Sequence, residues 1–244
     1  LLTEYTRAKK EGATGIQESE DVLGELLQQA PDAAAARRIK AGVRATRSEA
    51  GIGVNQAALL QGTLESEGLK DRKLFAESFR FIRGGLVEVT KGTSKVINLF
   101  KGTTEREALN VILGGAEVSG VQAGEFAPLF SKAAFAGQQQ GASKEEIAAI
   151  VSQVSKIAAS GEEGATSVAA FASFLTKKGI EPGRGLLAGA EAIGAKGLSG
   201  KELAKFIPEK RALQGFLSIQ KMSEEITKSI PKIEAYVEAS GGLD

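Results

Sequence analysis

Four basic side chains at helical spacing are the residues of this sequence best placed to do chemistry. They recur at intervals of 3, 4 and 3 residues and comprise Arg37, Lys40, Arg44 and Arg47. Because an α-helix turns once in about 3.6 residues, they share one helix face, here called the basic stripe. Such a face either contacts phosphate or an acidic partner, or is an ordinary solvated surface. No aromatic residue interleaves it, which disfavours stacking on nucleic-acid bases.

Paired carboxylates are the second group with chemical potential. Neighbouring glutamates occur three times, at 145–146, 162–163 and 224–225. A glycosidase needs two carboxylates that converge from separate elements, whereas these are sequence neighbours. The first two pairs follow Ser143 and Ser160 at capping distance, and negative charge is favourable at a helix N-terminus. Helix capping is therefore the better interpretation of the paired glutamates.

Composition removes several classes of site. The 244 residues contain no cysteine and no histidine, which excludes disulfides, Ser-His and Cys-His nucleophiles and the usual transition-metal ligands. Gly51-Ile52-Gly53 lacks the preceding strand and the third glycine of a dinucleotide fingerprint, so a turn is favoured. We predict no catalytic residue, no cofactor, no metal and no enzymatic activity. An enzyme of the lysozyme sort stays open only if a cleft brings two separated acidic residues together.

Charge and hydropathy point to no general class of partner. The chain has 31 Lys+Arg against 30 Asp+Glu, so its net charge favours neither nucleic acid nor a membrane surface. No apolar run approaches the roughly 20 residues needed to span a bilayer. The sequence starts at Leu1 rather than methionine, which predicts that it is part of a longer polypeptide.

Helix punctuation recurs along the chain. A serine or threonine is followed three residues later by glutamate at Thr104/Glu107, Ser143/Glu146, Ser160/Glu163 and Ser199/Glu202. These four pairs predict capping boxes, and glycines 141, 179 and 197 predict left-handed helix ends. The β-branched alternation at 86–89 resembles a strand, but a lone strand has no partner, so we predict a helix.

The punctuation predicts an all-α fold of roughly ten to thirteen short antiparallel helices, a bundle or an irregular helical solenoid, without significant sheet. We expect an N-terminal helical region over 1–118 and a C-terminal one over 119–244, or one continuous domain. Large apolar residues are few, with 11 Phe, 2 Tyr and no Trp, so the helices should approach closely over thin cores.

A family resemblance rests on three stretches of the C-terminal half. They read FAPLFSKAAFAGQQQGASKEEIAAI, AASGEEGATSVAAFASFLTKKG and GLSGKELAKFIPEKRALQGFLSIQK. Their glycine-started, glutamate-capped helices, with an F-x-P-E-x-R-A step at Phe206, resemble the helical core region of phage tail tape measure proteins. The resemblance covers about residues 121–244, with a weaker echo from about residue 54.

The resemblance implies a structural component of a phage or prophage tail, acting in tail assembly and tail length determination. It implies a place in the virion tail lumen, or in the host cytoplasm during assembly. The implied partners are the tail tube, the tail tip and assembly chaperones, with self-association and a DNA contact through the basic stripe as further options. The family supplies no catalytic residues. The alternative function is a helical-repeat adaptor that binds protein partners on one face.

Overall fold

The computed structural model describes residues 23–24, 27–28, 31–78, 82 and 85–238. Within these residues the chain forms twelve helices with defined ends and no strand, which confirms the predicted all-α multi-helix array. The helices are α1 (Ala33–Ala50), α2 (Val54–Ser66), α3 (Arg72–Ser78), α4 (Leu86–Leu99), α5 (Glu105–Ser119), α6 (Ala123–Gln139), α7 (Lys144–Ile157), α8 (Gly161–Lys178), α9 (Gly185–Gly194), α10 (Gly200–Phe206), α11 (Lys210–Lys221) and α12 (Ser223–Glu238).

The chain divides into two compact units, Leu1–Phe81 and Ile82–Asp244. The first contains α1 to α3, and the second contains α4 to α12. The boundary expected after residue 118 lies inside α5, within the second unit. Because α5 packs against both α7 and α12, a division at that point would cut through one core.

In the first unit, Asp32 and Gly51 set the two ends of α1. The Asp32 carboxylate accepts a hydrogen bond from the Ala35 N–H at 2.6 Å, and Gly51 ends the helix with φ 64°. Pro31 precedes the cap position, and Asp32 occupies it because the side chain of aspartate can accept an amide hydrogen bond and that of proline cannot. The apolar face of α1 meets α2 and α3 in a core that contains Ile39, Val43, Ile52, Ala57, Ala58 and Ala76.

In the second unit, the ambiguous stretch at 86–89 begins helix α4, as predicted. Gly85 precedes it in the left-handed region, with φ 73°. Thr90 and Thr93 are fully buried in this helix, and their hydroxyls donate to the carbonyls of Leu86 and Val89, each at 2.8 Å. Because each threonine hydroxyl has a hydrogen-bond acceptor within its own helix, this β-branched sequence can be buried as a helix.

Small residues allow close helix packing in the second unit. A Cβ added to Gly215 of α11 would collide with the backbone carbonyl of Ser167 in α8, so the two backbones come too close for any side chain there. Beside this contact the rings of Phe171 and Phe216 lie with centroids 5.8 Å apart. The thin cores expected from the scarcity of large apolar residues are therefore present at this crossing.

In two of the four predicted capping boxes, the glutamate carboxylate accepts the N–H of its own N-cap residue. At α5, the Glu107 N–H donates to Thr104 Oγ1 at 3.2 Å, and the Thr104 N–H donates to the Glu107 carboxylate at 2.8 Å. At α10, the Ser199 N–H and hydroxyl both donate to Glu202 Oε2, at 2.9 and 2.6 Å. Glu202 is exposed and Glu107 is half-buried.

In the other two predicted boxes the serine caps its helix as predicted, but the glutamate carboxylate also binds a group on another helix. Ser143 Oγ accepts the Glu146 N–H at 3.0 Å, and Ser160 Oγ accepts the Glu163 N–H at 3.1 Å. Glu163 accepts from the side chain of Gln214 at 3.1 Å, and Glu146 accepts from backbone amides of α9.

Among the described residues, no helix combines the length and the apolar character needed to cross a membrane.

Candidate functional site

The basic stripe lies along α1, and all four of its side chains are exposed. The side chains facing the other way, Ile39, Val43 and Thr46, are buried. The helix is therefore amphipathic, with its charged face directed outward as the spacing predicts. Within the described residues, none of the four stripe side chains has a hydrogen bond or an ion pair.

The one acidic residue of α1 does not pair with the stripe, because it is bound to a cation on another helix. The Glu49 carboxylate receives two hydrogen bonds from the guanidinium of Arg72 in α3, at 2.9 and 3.2 Å. This bidentate pair links α1 to α3. It also pairs the only negative charge of α1 with Arg72 and not with the stripe.

Three of the four stripe residues also line one cleft. Lys40, Arg44 and Arg47 surround an opening of about 270 Å³ whose other lining residues are Leu23, Val43 and Val54. Arg37 lies outside the cleft, one turn nearer the start of α1. The structure therefore adds an apolar surface beside the predicted cations. Such a cleft suits a ligand that carries an anionic group next to an apolar group.

A polar cleft of about 530 Å³ lies between α5, α7 and α12 in the second unit. Its lining includes Glu117 from α5 and Glu225 from α12, two carboxylates from separate helices. Deep in the same region, the Gln153 amide donates to Ser229 Oγ at 2.8 Å. Burial and the nearby charge of Glu117 raise the pKa of Tyr236, another lining residue.

The polar cleft brings together two acidic residues from separate helices but lacks the chemical environment of a lysozyme-type site. Such a site needs one carboxyl group held protonated by an apolar environment beside a second that stays ionised. Glu117 and Glu225 are both exposed, and Glu225 is also paired with Lys228 at 3.3 Å. Neither carboxylate lies in an apolar environment, so neither has the surroundings of a general acid.

The N-terminus of α9 is occupied by the protein's own carboxylate. Glu146 Oε1 accepts hydrogen bonds from the N–H groups of Leu186 and Leu187, each at 2.8 Å. Burial raises the pKa of Glu146, while the N–H groups of Leu187, Leu186 and Ser143 oppose that shift. This helix end would otherwise attract an external anion. Here it serves as an internal link between α7 and α9.

An apolar groove follows the outward face of α11 and was not foreseen from the sequence. Two open clefts of about 420 and 520 Å³ adjoin there, and both are lined by Leu217 and Lys221. Leu217 is 49 % exposed, and Ile157 at the edge of the first cleft is 38 % exposed. We call these two clefts together the α11 groove.

The sequence did carry a signal for the α11 groove. Ala212, Phe216 and Ile219 form the buried stripe of α11, while Leu213 and Leu217 form a second apolar pair one turn apart. Two apolar stripes on one helix are more than a single core contact requires. One of them is therefore free for another contact.

Among the described residues, no group of three or more acidic side chains could hold a metal ion. Comparison with known proteins finds no match: no protein-family model, no curated protein and no solved structure matches the chain.

Proposed function

We propose that this chain is a structural component of a phage or prophage tail, of tape-measure type, that acts in tail assembly and tail length determination. In this proposal the chain has no catalytic role and works through surfaces that contact other tail components. Its place is the tail lumen of the virion, or the host cytoplasm during assembly.

The observation that supports the proposal is where helices begin and end in the stretch that carries the resemblance. Ser143, Ser160 and Ser199 are the N-caps of α7, α8 and α10. The three punctuating glycines have the left-handed φ values expected of helix ends: Gly141 87°, Gly179 61° and Gly197 62°. The features on which the resemblance rests are therefore the features that organise the helices of the second unit.

The virion itself provides the test. Phage particles induced from the source strain are purified, treated with nuclease and analysed by mass spectrometry for peptides of this chain. We expect the peptides in intact particles and in isolated tails, and the coding region beside tail tube and tail tip genes. Absence of the peptides from purified tails, together with a neighbourhood lacking tail genes, would overturn the proposal.

Within the proposal, the basic stripe is the surface for phosphate or for an acidic tube wall. Four exposed cations on one helix face, with no acidic partner among the residues that the structure describes, are the arrangement that releases counterions on binding a polyanion. If the stripe contacts DNA, the logarithm of the affinity falls with the logarithm of salt concentration with a slope of about 0.9 per phosphate contacted.

DNA binding of the wild-type chain is compared with that of a variant in which the four stripe residues become glutamine, at low and at moderate salt. A matched control changes four exposed lysines of the second unit to glutamine: Lys177, Lys178, Lys201 and Lys205. The stripe variant should lose most of the affinity and most of the salt slope, and the control should retain them. Equal behaviour of the two variants would mean that total charge, and not the stripe, governs binding.

The α11 groove favours a second candidate, a helical-repeat adaptor that binds protein partners. An adaptor needs one accessible apolar face on a helical framework, and the groove provides one. The virion experiment separates the two functions, because an adaptor outside the tail would be absent from purified particles.

A further inference from the structure

The α11 groove has a defined charge pattern. Lys210 and Lys221 are the charged residues that line its first cleft, and they lie at opposite ends of α11. Lys221 follows Lys210 by eleven positions, which is a rise of about 16 Å along the helix axis. Both are exposed, and neither has an ion pair among the described residues. Between them lie Leu213 and Leu217, so the cleft is apolar in the middle and positive at each end.

The second cleft carries a charge of the opposite sign on its far side. It is lined by Leu187, Ala190 and Glu191 of α9, and it shares Leu217 with the first cleft. Leu217 therefore forms a ridge with an open depression on each side. A ridge flanked by two grooves is the surface against which another helix packs.

The charge pattern disfavours a second copy of this chain as the occupant. Two α11 helices packed antiparallel would place Lys210 of one copy beside Lys221 of the other. Packed parallel, they would place each lysine beside its own equivalent. Either arrangement brings like charges together at both ends of the contact, which costs free energy.

We propose that the α11 groove binds an amphipathic helix of another protein, with leucine-type residues that straddle Leu217 and acidic residues at both ends. The acidic ends pair with Lys210 and Lys221. A polar or basic residue in the middle of the helix faces Glu191. The inference goes beyond the proposed tail function and holds equally for the adaptor, so failure of the virion experiment leaves it intact.

Most of the affinity should come from burial of Leu217, and most of the selectivity from the lysines. Covering a half-exposed leucine removes apolar surface from water, so its loss should weaken binding about tenfold. Exposed charges contribute less to affinity, but they select among partners and accelerate association.

The test uses the complete 244-residue chain and a synthetic helical peptide of about 18 residues, long enough to cover α11. Leucines recur on one face of the peptide, glutamates flank them, and one tryptophan reports binding. The chain contains no tryptophan, so the fluorescence signal belongs to the peptide alone. A second peptide carries lysine in place of each glutamate.

Three variants separate the contributions. Leu217→Gln removes the ridge, and Leu59→Gln is its matched control, because Leu59 is 44 % exposed on α2 and lines none of the clefts described above. Lys210→Glu with Lys221→Glu reverses the charge of both ends. Circular dichroism checks that each variant keeps the helical content of the wild type.

We expect the wild-type chain and Leu59→Gln to bind the glutamate peptide equally, Leu217→Gln to bind it about tenfold more weakly, and the double charge variant to prefer the lysine peptide. The proposal fails if neither peptide binds at about millimolar concentration. It also fails if the two leucine variants behave alike, or if the wild type shows no preference for the acidic peptide. A dimer in sedimentation that Leu217→Gln abolishes would assign the groove to a second copy instead.

Discussion

Two versions of one sequence motif open helices α7 and α10, 56 residues apart, and they form different contacts. Each begins with a left-handed glycine, Gly141 or Gly197, and each continues with a capping serine and a glutamate three residues later. At α10 the carboxylate of Glu202 turns back to its own Ser199 in solvent. At α7 the carboxylate of Glu146 is largely buried and binds two amides of α9.

The difference teaches that a capping motif fixes where a helix begins but not where its glutamate side chain goes. The backbone N–H groups of Leu186 and Leu187 lie within reach of Glu146, and Gly185 beside them has no side chain to block the carboxylate. The hydrogen bonds recorded for Glu202 among the described residues come from Ser199. The same residue type is thus a local cap in one place and a link between distant helices in the other.

The largest expected effect is the removal of the Glu146 carboxylate. Glu146→Ala leaves two amides at the start of α9 without an acceptor, and we expect a loss of about 2–4 kcal/mol in the free energy of unfolding. The variant also no longer buries a carboxylate, which offsets part of this loss. Glu202→Ala removes only an exposed cap and should cost less. Urea denaturation of both variants measures the difference.

Glu146→Gln serves as the conservative control, because its amide oxygen can still accept from Leu186 and Leu187. It should retain most of the stability that Glu146→Ala loses. If Glu146→Ala and Glu202→Ala destabilise the chain equally, the two motifs are equivalent and the link to α9 contributes nothing.

A second test adds a methyl group beside each motif. The Cβ of Gly185→Ala would collide with the Glu146 carboxylate, and φ of 91° is unfavourable for alanine, so we expect a loss of about 2 kcal/mol. Gly200→Ala, in the first turn of α10, meets open space and should be neutral or stabilising by about 0.5 kcal/mol. Urea unfolding measures both variants.

Combining Gly185→Ala with Glu146→Ala identifies the source of that cost. The collision disappears when the carboxylate is removed, while the backbone strain remains. The double variant should therefore be more stable than the sum of the single effects predicts. Simple additivity would show that the glycine is needed for its backbone conformation alone.

The pH dependence should have opposite signs at the two motifs. Burial raises the pKa of Glu146 above its ordinary 4.5, so between 4.5 and the raised value the folded chain binds more protons than the unfolded one, and stability falls as pH rises. Hydrogen bonds from the Ser199 hydroxyl and then its N–H lower the pKa of Glu202. Between that lowered value and 4.5 its contribution is lost as pH falls.

Urea midpoints of the wild type, Glu146→Gln and Glu202→Gln from about pH 3 to about pH 7 isolate the two groups. The stability difference between wild type and Glu146→Gln should shrink as pH rises, and the difference from Glu202→Gln should grow. Two differences that move in the same direction would contradict the opposite environments of the two carboxylates.

The smallest expected effect belongs to the intermediate case at α8. The Glu163 carboxylate accepts a hydrogen bond from Gln214 of α11, but this contact is exposed. Glu163→Gln should therefore change the free energy of unfolding by no more than about 0.5 kcal/mol. A loss comparable to that of Glu146→Ala would show that reaching another helix, and not burial, makes the link strong.

The sequence determined the helices, because the signals that begin and end a helix act over a few residues. Thr104, Ser143, Ser160 and Ser199 each mark an N-terminus, and the basic stripe follows from the 3.6-residue period of one helix. The all-α fold and the outward face of α1 were predictable for that reason.

Only the tertiary structure decided the partners. The hydrogen-bond partner of Glu146 on α9 lies 40 residues away in the sequence, and the partner of Glu163 on α11 lies 51 residues away. The cleft beside the stripe, the α11 groove and the division after Phe81 likewise depend on which helices meet. A local pattern sets which face of a helix is apolar or charged, whereas its neighbour is chosen by packing across the whole unit, which no short stretch of sequence encodes.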